Sequence, residues 1–211
     1  MAAAGAEITL FVDVVSPFAY EAFHILRPNE ESPQISVFTY LCTYLTDLVA
    51  ETDKDTWIVR ERLRWARAFG IPMTTEMPPD FPPNTLHLMR ALSCVGDQGA
   101  LCALLARLYA DFWVRHVPVA QPDVFGSVFK DVLGADRADN VLAEAAAKGK
   151  AALQANTDRA FAAGAFGLPW LLCTNAQGET DGFWGVDHLG QVARFLGLPR
   201  PGDTGGWKSV L

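Results

Sequence analysis

Apolar positions follow two rhythms along this chain. Residues 8–15, Ile-Thr-Leu-Phe-Val-Asp-Val-Val, form a near-continuous β-rich run, the pattern of a strand covered on both faces. Ser16-Pro17 follows, a good N-cap and a good first helical residue. Phe18, Ala22, Phe23, Ile25 and Leu26 then make a helical stripe that stops at Arg27-Pro28. Residues 34–41 read as a second strand, so the chain opens β-α-β with a right-handed crossover. The middle is helical, with helices predicted over 54–69, 84–95, 98–115, 121–133, 136–147 and 149–163, and a Pro-rich loop over 77–83. Strand signals return at 170–174 and 179–184 around a hairpin loop at Asn175–Gly178, and a last helix covers 187–196. The Pro/Gly-rich tail, 199–206, is expected to be extended.

Composition narrows the partners. The chain has 211 residues, 50% of them apolar and 19% charged, enough for a sizeable core and an oligomer interface. Its formal net charge of −7 argues against nucleic acid. The basic cluster Arg60, Arg62, Arg64 and Arg67 has the spacing of a solvated helix face. No apolar run reaches the roughly 18 residues that span a bilayer. No signal peptide or peroxisomal tripeptide is read, so a cytoplasmic protein is expected. Cys42, Cys94, Cys102 and Cys173 form no Cys-x-x-Cys and no zinc spacing, and are expected as small buried hydrophobes, with no metal site.

Three places suggest chemistry. Ser16 stands where a buried strand meets a helix, and the free N–H groups and dipole of a helix N-terminus stabilise an anion such as a thiolate. The same pattern also fits an ordinary N-cap serine. Gly167-Leu168-Pro169 precedes a strand. Read alone it suits a trans proline, whereas a cis bond would let Leu168 offer its backbone to an extended peptide-like ligand. Asp187, after Gly185, is either a cap for the last helix or a carboxylate facing an amino-acid-like group. His24, His87 and His116 show no partner pattern and are expected to be structural or at the surface.

The motifs together resemble the DsbA-like family of kappa-class glutathione transferases and 2-hydroxychromene-2-carboxylate isomerases. They are Ser16-Pro17-Phe18-Ala19, Gly164-Ala-Phe-Gly-Leu-Pro169 and Phe183-Trp-Gly-x-Asp187, with Phe81-Pro-Pro-Asn-Thr-Leu86, Met89-Arg-Ala-Leu92, Phe112-Trp-Val114 and Pro122-Asp-Val124 in the middle. The resemblance covers nearly the whole chain. It implies an α/β, thioredoxin-like fold with a large all-helical insertion: 1–45 and 164–198 thioredoxin-like, 46–163 the insertion, 199–211 a C-terminal tail.

The resemblance also implies roles. DsbA-type oxidoreductases begin this helix Cys-x-x-Cys; here Ser16 and Ala19 hold those two positions, so dithiol exchange has no sulfur to run on. In the glutathione-using branch a serine hydrogen-bonds the glutathione thiolate, which makes Ser16 the catalytic residue as a stabiliser, with the nucleophile belonging to glutathione. Leu168 would pair its backbone with glutathione, and Pro169 would be the cis-proline. Asp187 would meet the γ-glutamyl amino group, and Lys54 the glycyl carboxylate, although the loop before Lys54 is short. Val186 and His188 complete the glutathione set as departures, replacing a polar residue and an arginine; one lost hydrogen bond costs about 0.5–1.5 kcal/mol. Phe18, Trp57, Asn84 and Trp170 are the candidate lining for the second substrate, with Tyr44 and Trp184 as further aromatics, although aromatics in such a fold are more often core. The implied protein is a glutathione-dependent transferase or cis–trans isomerase for a hydrophobic electrophilic small molecule, and a homodimer. The alternative is the same fold turned into a glutathione-independent small-molecule enzyme or binding protein.

Overall fold

The computed structural model describes residues 5–27, 36–41 and 53–198. Tyr44, Cys42, most of the short loop before Lys54 and the tail from 199 lie outside them.

Four strands form one sheet in the order β2-β1-β3-β4: β1 (Glu7–Val12), β2 (Ser36–Leu41), β3 (Trp170–Thr174) and β4 (Thr180–Trp184). β1 pairs parallel with β2 and antiparallel with β3, which pairs antiparallel with β4. A parallel pair needs a crossover, and α1 (Pro17–Leu26) supplies it. The register sets Leu10 opposite Leu171 and Phe11 opposite Trp170. Alternation then sends Ile8, Leu10, Val12, Leu171 and Cys173 into the main core, which holds α1 and α8 (Leu189–Phe195). The opposite face carries Phe11, Trp170 and Leu172 into a smaller cluster with Ala160 of α7 (Lys150–Ala162). β1 is buried on both faces, as its near-continuous apolar run required. It ends at Val12, earlier than the apolar run, because residues 13–15 turn into α1.

The insertion comprises α2 (Asp53–Phe69), α3 (Leu86–Ser93), α4 (Gln98–Trp113), α5 (Pro122–Leu133), α6 (Ala135–Glu144) and α7. Local chemistry sets several boundaries. The Asp97 carboxylate caps α4 by accepting the Ala100 N–H at 2.7 Å, and Pro122 opens α5. A π-helical turn, Ala145–Gly149, joins α6 to α7, where the sequence suggested only a short break. Gly149 lies so close to α3 that a Cβ there would stand 2.2 Å from the Arg90 carbonyl oxygen.

One expectation fails on α2. Arg60, Arg64 and Arg67 are exposed, but Arg62 is fully buried. Its guanidinium donates to the carbonyls of Thr74 (2.8 Å) and Thr75 (2.6 Å) and lies 5.8 Å from the centre of the Trp113 ring. Spacing alone does not show that a loop folds back onto this face of α2 and needs a cation for its carbonyls. Glu21 of α1 is buried nearby, and neither of its oxygens has a hydrogen-bond partner among the described residues. Burial pushes its carboxyl up to about 9; the attraction of Arg62 opposes this only in part, and Glu61 adds to it.

Glu21 therefore keeps its proton in the fold to about pH 9, whereas the unfolded chain releases it in the ordinary carboxyl range near pH 4.3. Its contribution is fully present at acid pH. As pH rises between those limits, the fold loses up to about 1.4 kcal/mol per pH unit. Urea unfolding at about pH 5.5 and about pH 8 should show the stability of Glu21→Gln relative to wild type rising by about 3 kcal/mol from the lower pH to the higher. An equal difference at both values would mean that Glu21 is ionised in the fold.

Candidate functional site

The site forms at the C-terminal end of β1, where Asp13, Val14 and Val15 turn the chain into α1. Ser16 is the N-cap, in extended conformation (φ −83°, ψ 118°), and is 3% exposed. Its Oγ accepts the Ala19 N–H at 3.2 Å. Its hydroxyl donates to the Leu168 carbonyl at 3.5 Å, the long limit of a hydrogen bond. A bond this long is weak, so the hydroxyl hydrogen can turn to an anion arriving at the positive end of α1. Ala19 is fully buried and brings no sulfur to the site.

Leu168–Pro169 is a cis peptide bond, and the Pro169 carbonyl accepts the Gly185 N–H at 3.0 Å. The β3 start and the β4 end are thus tied together beside Ser16. Gly185 has φ +88°, and a Cβ there would meet the Asp187 carboxylate at 2.3 Å. A short 3₁₀ turn, Val186–His188, follows. Val186 turns inward and is 2% exposed. The Asp187 carboxylate is more than half exposed and lies 3.3 Å from His188 Nδ1. Asp187 does not cap the last helix: α8 starts after His188 with no side-chain cap, because the 3₁₀ turn takes up the residues that would place it.

The structure thus brings Ser16, Leu168, Pro169, Val186, Asp187 and His188 to one end of the sheet. Lys54 falls in the first turn of α2, and its side chain lies outside what the structure describes. The four candidate lining residues differ among themselves. Phe18 is partly buried at the second position of α1, and Trp57 is 51% exposed on α2. Asn84 is exposed and accepts the Leu86 N–H through Oδ1 at 3.0 Å. Trp170 packs in the cluster between the sheet and α7, with no partner for Nε1 among the described residues. It is a packing residue of that face, not part of an open wall. The exposed aromatics beside it are Trp184, its register partner, and Phe166, whose ring centre lies 4.9 Å from that of Trp184.

Sequence reasoning missed the residues behind Ser16. Buried Asp13 accepts the Thr85 hydroxyl at 2.9 Å and the Val15 N–H at 3.2 Å. The Tyr109 hydroxyl donates to the Asp13 carbonyl at 3.3 Å, and the Trp113 indole N–H to the Val14 carbonyl at 3.2 Å. A signal was present: Asp13 is the lone charge in a buried apolar run, and a buried carboxylate requires donors. His116 Nε2 stands 2.6 Å from Thr74 Oγ1, a structural contact.

The DSBA-like thioredoxin domain family matches residues 7–197, almost the entire chain. The chain belongs to this family. Among curated proteins it is similar to glutathione S-transferase kappa 2 of Caenorhabditis elegans, 27% identical across 92% of this chain and 93% of that protein. Glutathione S-transferase kappa 1 of the same organism is 23% identical, with 92% of each chain covered. Among solved structures, a 2-hydroxychromene-2-carboxylate isomerase superposes with TM-score 0.72 at 17% identity, covering 90% of this chain and 94% of the other. The cytosolic disulfide reductase DsbM of Pseudomonas aeruginosa, solved with GSH, gives 0.64 at 15%, covering 90% and 96%. The resemblance read from the motifs, and the DsbA-like thioredoxin fold with a helical insertion, are borne out. No helix among the described residues is long and apolar enough to cross a membrane.

Gly185→Ala should lower stability by about 1–3 kcal/mol, since alanine at positive φ is strained and its Cβ meets a carboxylate. Gly185→Ala combined with Asp187→Ala removes the clash and should recover part of the loss, as thermal unfolding would show. No recovery would mean that backbone strain alone sets the cost.

Proposed function

We propose that this protein is a glutathione-dependent enzyme acting on a hydrophobic electrophilic small molecule, as a transferase or a cis–trans isomerase. The observation that carries the reading is Ser16. A buried hydroxyl caps a helix N-terminus beside a cis-proline segment, at the position where thiol–disulfide members of the fold hold their first cysteine, and neither Ser16 nor Ala19 supplies sulfur. The similarity to kappa glutathione S-transferases over nine-tenths of both chains supports the same reading.

Glutathione would supply a thiolate that adds to an activated double bond and leaves a carbanion; its protonation from solvent gives the retained adduct of transfer, and rotation followed by expulsion of the thiolate gives isomerisation. Ser16 then acts as a donor, turning its hydroxyl from the distant Leu168 carbonyl to the sulfur while the α1 dipole favours the anion. The thiol proton leaves to solvent, because Ser16 stays protonated throughout. Leu168 and Pro169 hold the tripeptide by its backbone, and Asp187 takes its amino group. Val186 contributes only backbone there, since its side chain is in the core. His188 stands beside Asp187, and Lys54 meets the glycyl carboxylate. In this reading the thioredoxin-like part, 1–45 and 164–198, holds glutathione together with Lys54 of the insertion. The insertion, 46–163, shapes the pocket for the electrophile with Phe18, Trp57 and Asn84 at its margin, and the protein is a cytoplasmic homodimer.

A second reading keeps the fold without glutathione. The buried, apolar Val186 favours it, because it removes a polar side chain from the place where the tripeptide would bind. Calorimetric titration of glutathione into the purified protein separates the two: saturable binding supports the first, and none at millimolar concentration overturns it. With glutathione bound, Ser16→Ala should leave affinity nearly unchanged and lower the rate with a reactive electrophile about ten- to a hundredfold at neutral pH, the value of one hydrogen bond to a charged group. The loss should shrink as pH rises and the thiol ionises unaided.

A further inference from the structure

Thr85 holds the N-cap position of α3, where a threonine hydroxyl normally accepts an N–H of its own helix and stabilises it. Here it makes no such bond. Asn84 takes the Leu86 N–H instead, and the Thr85 hydroxyl donates to the Asp13 carboxylate, 72 residues upstream. A side chain with a local role has been turned to a distant one. Asp13 Oδ1 in turn accepts the Val15 N–H, while the Asp13 carbonyl accepts the Ser16 N–H at 3.2 Å. The Trp113 indole N–H grips the Val14 carbonyl between them. Asp13 and Val14 are thus held by hydrogen bonds from α3 and α4 of the insertion, and Val15 and Ser16 hang from Asp13.

We propose that Thr85 and Trp113 are positioning residues for Ser16, fixing its hydroxyl and the first turn of α1 where they stabilise an anion facing Leu168. The proposal rests on reading Ser16 as an anion-stabilising group. The insertion thereby does more than wall a pocket: it sets the electrostatics of a helix N-terminus that belongs to another part of the chain. Without the Thr85 hydroxyl, the buried Asp13 carboxylate loses a donor and must shift or draw in water. The Val15 N–H and the start of α1 move with it. Both effects disfavour a thiolate at position 16.

The test uses a reporter that needs no glutathione, so its failure is distinct from failure of the proposed function. In the Ser16→Cys variant, the pH dependence of iodoacetamide alkylation at position 16, followed by peptide mass spectrometry, gives the pKa of a thiol at the helix N-terminus. That pKa is expected below the ordinary thiol value of about 8.5. Adding Thr85→Val should raise it by about one unit, about tenfold less thiolate at neutral pH, and Thr85→Ser, which keeps the hydroxyl, should restore it. Trp113→Phe, which removes the N–H and keeps most of the ring, should also raise it. Thermal unfolding checks that each variant folds; if Thr85→Val does not melt cooperatively, Trp113→Phe decides. An unshifted pKa in a folded Thr85→Val or Trp113→Phe variant overturns the proposal, as does an ordinary pKa in Ser16→Cys alone.

Discussion

Asp13, Val14 and Val15 are the turn on which the site depends. β1 must end there and α1 must begin, within a core that leaves the turn no access to water, so every polar group in it needs a partner. The Thr85 and Tyr109 hydroxyls and the Trp113 indole N–H supply partners from the helical insertion. Trp113 is itself packed against Arg62, whose guanidinium holds the loop at Thr74 and Thr75. Buried hydrogen bonds thus join the end of a strand to helices more than seventy residues away in sequence. Ser16 inherits its position from them.

The same constraint explains how one fold serves two chemistries. A helix N-terminus next to a cis-proline segment favours a sulfur anion whatever molecule carries it. With cysteine at the first position, the protein owns the sulfur and exchanges disulfides. In the proposed reading, Ser16 offers a hydroxyl and a dipole to a sulfur brought from outside. Ala19, fully buried, leaves no second thiol to resolve a mixed disulfide. Among the described residues, Cys173 is buried in β3 with its thiol pushed up to about 12 by desolvation, and burial also raises that of Cys94. Neither is disposed to act as a thiolate.

Much of the fold was legible because its elements are locally consistent. The apolar run of β1, the Ser16-Pro17 helix start and the hairpin around Asn175–Gly178 each carry a local pattern that agrees with the element it forms. The resemblance named Ser16, Leu168, Pro169 and Asp187 as candidates, and they lie together at one end of the sheet. What stayed hidden depends on contacts between distant segments. Arg62 reads as part of a wet basic face until a loop returns to cover it. Nothing local marks Thr85 as the donor to a distant carboxylate, and Asp187 reads equally as a cap until a 3₁₀ turn displaces it. Trp170 and Trp184 sit on one sheet face in register, yet one is buried and the other half-exposed, a difference set by α7 and not by either strand.

The central claim is that this helix N-terminus holds a sulfur anion that is not the protein's own. Ultraviolet titration of the thiolate absorbance of protein-bound glutathione, in wild type beside Ser16→Ala, tests it most directly. The account predicts a thiol pKa clearly below that of free glutathione in wild type, moving back toward it in Ser16→Ala. A bound thiol with the free value in wild type, or one equally depressed in both proteins, would contradict it.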